Sequence, residues 1–264
     1  MGLLRRESAW TKAYRQMWQR EQRFLERYGT AEESSLDRKL DEKIPPALRE
    51  TLHGAFVKAF EVVFQKGDAV IRKAGGTEKR QQDFMIREYL ADQRESRRNL
   101  RAFQKAAAAS GRGNVALSGA AGVGMGLLGV ALPDIPLFTG LLLKSIYETA
   151  ETFGFPCEGE PEKILALRLI ETALSSGDAL REKDRLIDEF FQTGRWPDRP
   201  VLAEQVRAAA RRLSETVVYG KFLQNIPVAG AAGGAKDAVC LRRVQQYAAI
   251  KYEKRFLIRR RTGG

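Results

Sequence analysis

The sequence predicts an all-α protein: a multi-helical single domain with a glycine-rich apolar helical hairpin at its centre. Three observations carry that expectation. Apolar residues recur at three- and four-residue spacing along most of the chain, no stretch sustains the period-two alternation of a half-buried strand, and glycine and proline punctuate the helical runs. With 264 residues, 44% of them hydrophobic and 30% charged, the chain has enough apolar side chain for a packed core.

The first helix is expected over roughly residues 8 to 28, where Trp10, Tyr14, Met17, Trp18, Phe24, Leu25 and Tyr28 share one broad face before Gly29. Pro45-Pro46 suits the first turn of a second helix, whose Leu48, Leu52, Phe56, Phe60 and Val63 follow at helical spacing toward Gly75-Gly76. One long charged helix is expected from about 78 to 109. Composition then changes, because no charged residue occurs from Asn114 to Pro133 and Gly119, Gly122, Gly124, Gly126 and Gly129 alternate with Ala, Val, Leu and Met. Asp134 and Pro136 cap and start the return limb, which runs through Leu137, Leu141, Leu142, Ile146 and Tyr147 to Phe153-Gly154. Pro161 starts a helix bearing Ile164, Leu165, Leu167, Leu169 and Ile170, and Gly177 and Gly194 bracket another that ends in Phe190-Phe191. Trp196-Pro197 connects to a helix over about 200 to 224. After Ile226-Pro227 a second charge-free stretch, Val228 to Ala235, precedes a final helix that runs into Arg259-Arg260-Arg261.

Gly124-Met125-Gly126-Leu127-Leu128-Gly129 spells G-x-G-x-x-G, but that fingerprint needs a preceding strand within a βαβ unit, so no cofactor is expected. Gly122 and Gly126 are four apart, as are Gly230 and Gly234, a spacing that lets helix backbones approach closely. The 18 residues from Val115 to Leu132 would make about 27 Å of helix against a hydrocarbon slab of ~30 Å. Three readings stay open: a tightly packed hairpin in a soluble core, insertion or re-entrant dipping into a membrane, and a pocket for a hydrophobic ligand. In each of them Gly122, Gly126, Gly129, Pro133, Asp134, Pro136, Pro227, Gly230 and Gly234 shape the turns and their packing. Asp134 is then an N-cap or a polar contact at a membrane-buried turn.

Lys and Arg number 45 against 33 Asp and Glu, and the resulting +12 favours polyanionic partners, an anionic membrane surface or nucleic acid. Cys157 and Cys240 lie far apart and His53 is the one histidine, which excludes the usual zinc arrays and a disulfide scaffold and suits a reducing compartment. Glu50 and His53 form a single E-x-x-H, whereas helical di-metal sites use two. With no G-x-S-x-G, S-x-x-K or H-E-x-x-H either, no catalytic or metal site is expected, and Glu148 and Glu151 read as a solvated or salt-bridged face. Met1-Gly2-Leu3-Leu4 meets charge at Arg5, too early for a secretory signal, so export is not expected.

The first helix interleaves Trp10, Tyr14 and Trp18 with Lys12, Arg15, Arg20 and Arg23. Aromatic rings favour the headgroup boundary and basic residues meet anionic lipid, so this is a candidate in-plane anchor; the alternative is a face docked on the helical body. From Arg242 to Arg261 the basic residues Arg242, Arg243, Lys251, Lys254, Arg255, Arg259, Arg260 and Arg261 outnumber the single acid Glu253. Arg259, Arg260 and Arg261 are accordingly expected to contact lipid phosphates. Nucleic acid would suit the same charges, but no recognised binding motif accompanies them.

Three segments together resemble the EcsC family, a group of mostly bacterial proteins named for the third component of an ABC-exporter locus. They are Leu132-Pro133-Asp134-Ile135-Pro136; Lys144-Ser145-Ile146-Tyr147-Glu148-Thr149-Ala150 leading into Phe153-Gly154-Phe155; and Ile226-Pro227-Val228-Ala229-Gly230-Ala231-Ala232-Gly233-Gly234-Ala235. The resemblance covers about 80 to 260, with the first 75 residues poorly covered. It implies a helical, membrane-associated protein, brings no catalytic residues, and allows an ABC transporter or other membrane protein as partner. Lys236-Asp237 departs from the small or Asn-containing stretch of the pattern and argues against deep burial there. Residues 1–76 then read as N-terminal amphipathic basic helices and 77–264 as an EcsC-like helical domain. The expected protein is non-enzymatic and cytoplasmic, peripheral or partly inserted at the cytoplasmic membrane, with a structural or regulatory role. A soluble lipid-binding module and a nucleic-acid-binding helical protein are the alternatives.

Overall fold

The computed structural model describes residues 7–30, 44–75, 77–93, 96, 98–109, 134–224 and 233–262. They form α1 (Ala9–Gly29), α2 (Pro46–Gly75), α3 (Thr77–Gln93), α4 (98–109), α5 (Asp134–Thr152), α6 (Gly159–Leu174), α7 (Gly177–Thr193), α8 (Leu202–Gln224) and α9 (Gly233–Thr262), with no strand among the described residues. The protein is all-α.

Local chemistry sets several boundaries. Ser8 caps α1 by accepting the Thr11 N–H at 3.1 Å. Gly194 ends α7 in the left-handed conformation, φ 71°, with its N–H on the Phe190 carbonyl at 2.9 Å. The long helix expected over 78 to 109 is instead two, because Ser96 starts a new helix by accepting the Asn99 N–H on its side chain at 3.2 Å. Asn99 Nδ2 reaches back to the Leu90 carbonyl, 2.8 Å, while Phe84 and Phe103 meet at 6.0 Å, so α3 and α4 lie antiparallel.

The central post is α9, which packs against α1, α5, α6, α7 and α8. Leu241, Val244, Tyr247, Ala248, Lys251 and Tyr252 are buried on it, and a helix enclosed on most sides needs no single apolar stripe. Around it α2 packs on α5 and α8, α3 on α5, α6 on α7 and α8, and α1 on α7 and α9. Phe84, Phe103, Phe153 and Phe256 form an aromatic cluster with centroids 5.0–6.4 Å apart. Each fully buried ring of this kind contributes about 1.5–3 kcal/mol of transfer free energy. Gly154 closes one side of the cluster: its φ is +76°, and a Cβ there would run into the Phe84 ring.

Of the expected hairpin, Gly122, Gly126, Gly129, Pro133, Pro227 and Gly230 lie outside the described residues, as does the side chain of Asp134, whose backbone opens α5. Pro136 is exposed in the first turn of α5, and Gly234 falls in the first turn of α9. Among the described residues, no helix is long and apolar enough to cross a membrane.

Candidate functional site

The two basic ends, far apart in sequence, meet in the fold. On α1 the inward positions Ala13, Met17, Glu21, Phe24 and Leu25 are buried, which turns Arg15, Trp18 and Arg23 outward. Trp18 is 48% exposed. Trp10 and Tyr14 sit at the seam with α9: Trp10 is 6.1 Å from Phe256, the Arg260 guanidinium lies 5.3 Å over its ring, and Arg261 lies 5.7 Å over Tyr14. Cation–ring contacts of this type are worth about 0.5–1 kcal/mol at exposed sites. Arg260 also bonds Asp92 of α3 at 2.5 Å, and Arg259 stacks over Phe155 at 4.7 Å. Arg15 pairs with Glu7, and Arg23 Nε donates to its own helix at Gln19 O, 3.1 Å. The candidate contact residues thus divide into Trp10, Tyr14 and Arg260, held in the seam, and Arg15, Trp18, Arg23, Arg259 and Arg261, on the surface.

The basic tail is not a uniformly exposed strip. Lys251 is 0% exposed, and its Nζ lies 2.7 Å from Glu21 Oε1, 2.6 Å from Asp184 Oδ1 and 2.6 Å from Asp188 Oδ1. Lys254 Nζ takes Glu21 Oε2 and Asp188 Oδ2, both at 2.6 Å, and the Tyr247 hydroxyl donates to Asp184 Oδ1 at 2.6 Å. Glu253 accepts from Arg20 Nη2 at 2.6 Å and Gln104 Nε2 at 2.9 Å. Arg255 pairs with Glu162 at 2.7 Å, and Arg243 donates to Ser175 O at 2.6 Å. Most of the tail therefore clamps α1, α6 and α7 onto the central helix.

Electrostatics in this cluster follow from burial and close opposite charge. Burial alone would lower the Lys251 pKa, but Asp184, Glu21 and Asp188 outweigh it and hold the ammonium above its ordinary value. Burial pushes Asp184 up, against the pull of Lys251, and burial with the adjacent Asp184 pushes the Tyr247 phenol well up. Glu21, Asp184 and Asp188 stand close enough to share a cation, a role the two lysine ammonium groups fill. A lysine held protonated is no nucleophile, so the arrangement works as a structural clamp.

Glu148 and Glu151 are salt-bridged but buried rather than solvated: Arg80 reaches Glu151 at 2.6 Å and Glu148 at 3.3 Å, and Lys144 reaches Glu148 at 2.7 Å. Burial, then Glu162 and Glu151, push the neighbouring Cys157 thiol well up, which leaves it a poor nucleophile. His53 Nε2 lies 3.3 Å from Arg207 O and ties α2 to α8. A pocket of about 280 Å³ opens between α6, α7, α8 and residues 198–201. Its polar wall is internally paired, Arg168 with Asp198 at 2.5 Å and Glu171 with Lys183 at 2.7 Å and Gln205 at 2.6 Å. Arg199 at its rim has φ 44°, an uncommon backbone for a residue with a side chain.

Sequence reasoning missed one surface. Met85, Ile86, Tyr89 and Leu90 are 59%, 58%, 62% and 49% exposed on the outer side of α3. The signal was present as a second apolar stripe beside Phe84 and Ala91, hidden when the segment was averaged into one long charged helix.

The EcsC protein family model matches residues 9–257. No curated protein and no solved structure matches the chain. The match corrects the expectation that the resemblance begins near residue 80, and the fold supplies the reason: α1 and α2 pack directly on α5, α7, α8 and α9 and share their core. From the family match and the helical architecture together, the chain belongs to the EcsC protein family.

Proposed function

We propose that this protein is a non-enzymatic helical module of structural or regulatory role that docks on the anionic inner face of the cytoplasmic membrane. The observation that carries this reading is the outer side of α1, where Arg15, Trp18 and Arg23 are exposed, together with the exposed Arg261 at the end of α9, whose guanidinium lies 5.7 Å over the α1 ring of Tyr14. A surface Arg near an anionic leaflet contributes about 1 kcal/mol, and a half-exposed indole suits the headgroup boundary. Because α1 is clamped through Glu21 to Lys251 and Lys254, the face is presented rigidly and little ordering entropy is lost on docking. A membrane-embedded partner such as an ABC exporter would meet the same face. Co-sedimentation with vesicles of phosphatidylcholine and phosphatidylglycerol tests the reading. Arg15→Gln/Arg23→Gln/Arg261→Gln should weaken binding at low salt by roughly tenfold or more; binding unchanged by the three substitutions contradicts the assignment of this face.

A further inference from the structure

We propose that Met85, Ile86, Tyr89 and Leu90 of α3 form the apolar edge that enters the acyl layer, with Arg98, Arg101 and Lys105 of α4 on lipid phosphates beside it. The inference rests on the membrane-docking reading and names the part of the surface that inserts. The inner side of α3 is already complete, since Phe84 and Ala91 are buried and Phe84 packs on Phe103 and Phe256. The four outer residues are therefore a separate stripe. At positions i, i+1, i+4 and i+5 they occupy one side of the helix over about 8 Å of its length.

The charges around the stripe select an anionic lipid surface. Of its acidic neighbours, Glu88 and Asp92 are engaged by Arg260, at 3.5 and 2.5 Å, and Asp83 is half-buried and acts electrostatically on Arg87. On the antiparallel neighbour α4, Arg98, Arg101 and Lys105 recur at i, i+3 and i+7 and are all exposed, with no ion pair among the described residues. A second copy at this face would bring another cationic α4 to the rim, like charge toward like. The surface is also continuous with the proposed docking face, because Arg260 bridges Asp92 of α3 and the Trp10 ring of α1. Tyr89, the most exposed of the four, offers the amphipathic ring that favours the bilayer boundary.

The test compares wild type with Met85→Gln/Ile86→Gln/Tyr89→Gln/Leu90→Gln on phosphatidylcholine–phosphatidylglycerol vesicles at low and high salt. Glutamine keeps helix propensity, and helicity and melting are measured alongside. Wild type should retain binding at high salt, and the variant should lose that salt-resistant part by about tenfold or more. Wild type that binds while the variant matches it at high salt overturns the inference and leaves the docking reading standing. Wild type that binds no vesicle at any salt overturns the docking reading and the inference with it. A wild-type dimer in buffer that the variant converts to monomer assigns the stripe to self-association and also overturns the inference. Should the variant lose helicity, Met85→Cys carrying an environment-sensitive fluorophore replaces it: a blue shift on anionic vesicles is expected, and emission unchanged on bound vesicles overturns the inference.

Discussion

The Arg260 guanidinium lies 5.3 Å over the ring of Trp10, and the same side chain bonds Asp92 at 2.5 Å. One residue in the last turn of α9 thereby joins α1 and α3, which places the candidate anchor helix and the exposed apolar stripe on one continuous surface.

This seam divides the tryptophans by environment. Trp10 is packed on Phe256, whereas Trp18 is 48% exposed. Any blue shift of emission on anionic vesicles should therefore vanish in Trp18→Phe and survive in Trp10→Phe. The reverse pattern would mean that α1 leaves α9 on binding.

Lys251 and Lys254 together neutralise Glu21, Asp184 and Asp188, and Asp184 pairs with Lys251 rather than with Lys254. Removing Lys251 leaves buried charge uncompensated, so Lys251→Met should cost about 3–5 kcal/mol in urea unfolding. Glu21→Gln should lessen the damage when combined with it, because one of the three carboxylates then left facing Lys254 alone is gone. A loss under about 1 kcal/mol would show that the cluster rearranges instead.

The same cluster sets an alkaline limit. The folded Lys251 pKa is raised because three carboxylates outweigh the burial penalty, and that of Tyr247 is raised by burial and Asp184. Both contributions are complete below the ordinary values of about 10.4 and 10, and are lost as pH climbs through the folded ones. Stability should fall above pH ~10, and Tyr247 should ionise only as the protein unfolds. Tyrosinate absorbance that develops fully before helicity is lost would contradict this.

Gly154 is the turn that lets α5 end against the aromatic cluster. Gly154→Ala adds a left-handed backbone penalty and a Cβ against Phe84, and should destabilise by about 2–4 kcal/mol. Thermal melting measures it, and a change within about 0.5 kcal/mol would mean that the ring moves aside at little cost.

Helix ends marked by local chemistry were legible in the sequence: Gly29, Pro46, Gly177 and Gly194 fall at the boundaries they signal. Long-range pairing was not. Lys251 lies one turn from Tyr247 and Ala248, and Glu21 shares a face with Met17, Phe24 and Leu25, so each is a charge inside an apolar stripe. That is the local trace of a buried ion pair, but nothing local says that these two, 230 positions apart, meet. The α3–α4 break was hidden because Ser96 is one polar residue among many, and its role as a cap depends on where the chain turns. The exposure of Arg15 and Arg23 follows from the 3.6 period once the buried face is known, whereas Trp18, expected on one broad face with Met17, Phe24 and Leu25, is 48% exposed while those three are buried.

The most direct test of the membrane account is flotation of the wild-type protein with neutral and with anionic vesicles at rising salt. The account predicts binding to anionic vesicles only, a large decrease as salt screens Arg15, Arg23 and Arg261, and a residual salt-resistant fraction from the α3 stripe. Equal binding to both vesicle types, or none to either, would contradict it.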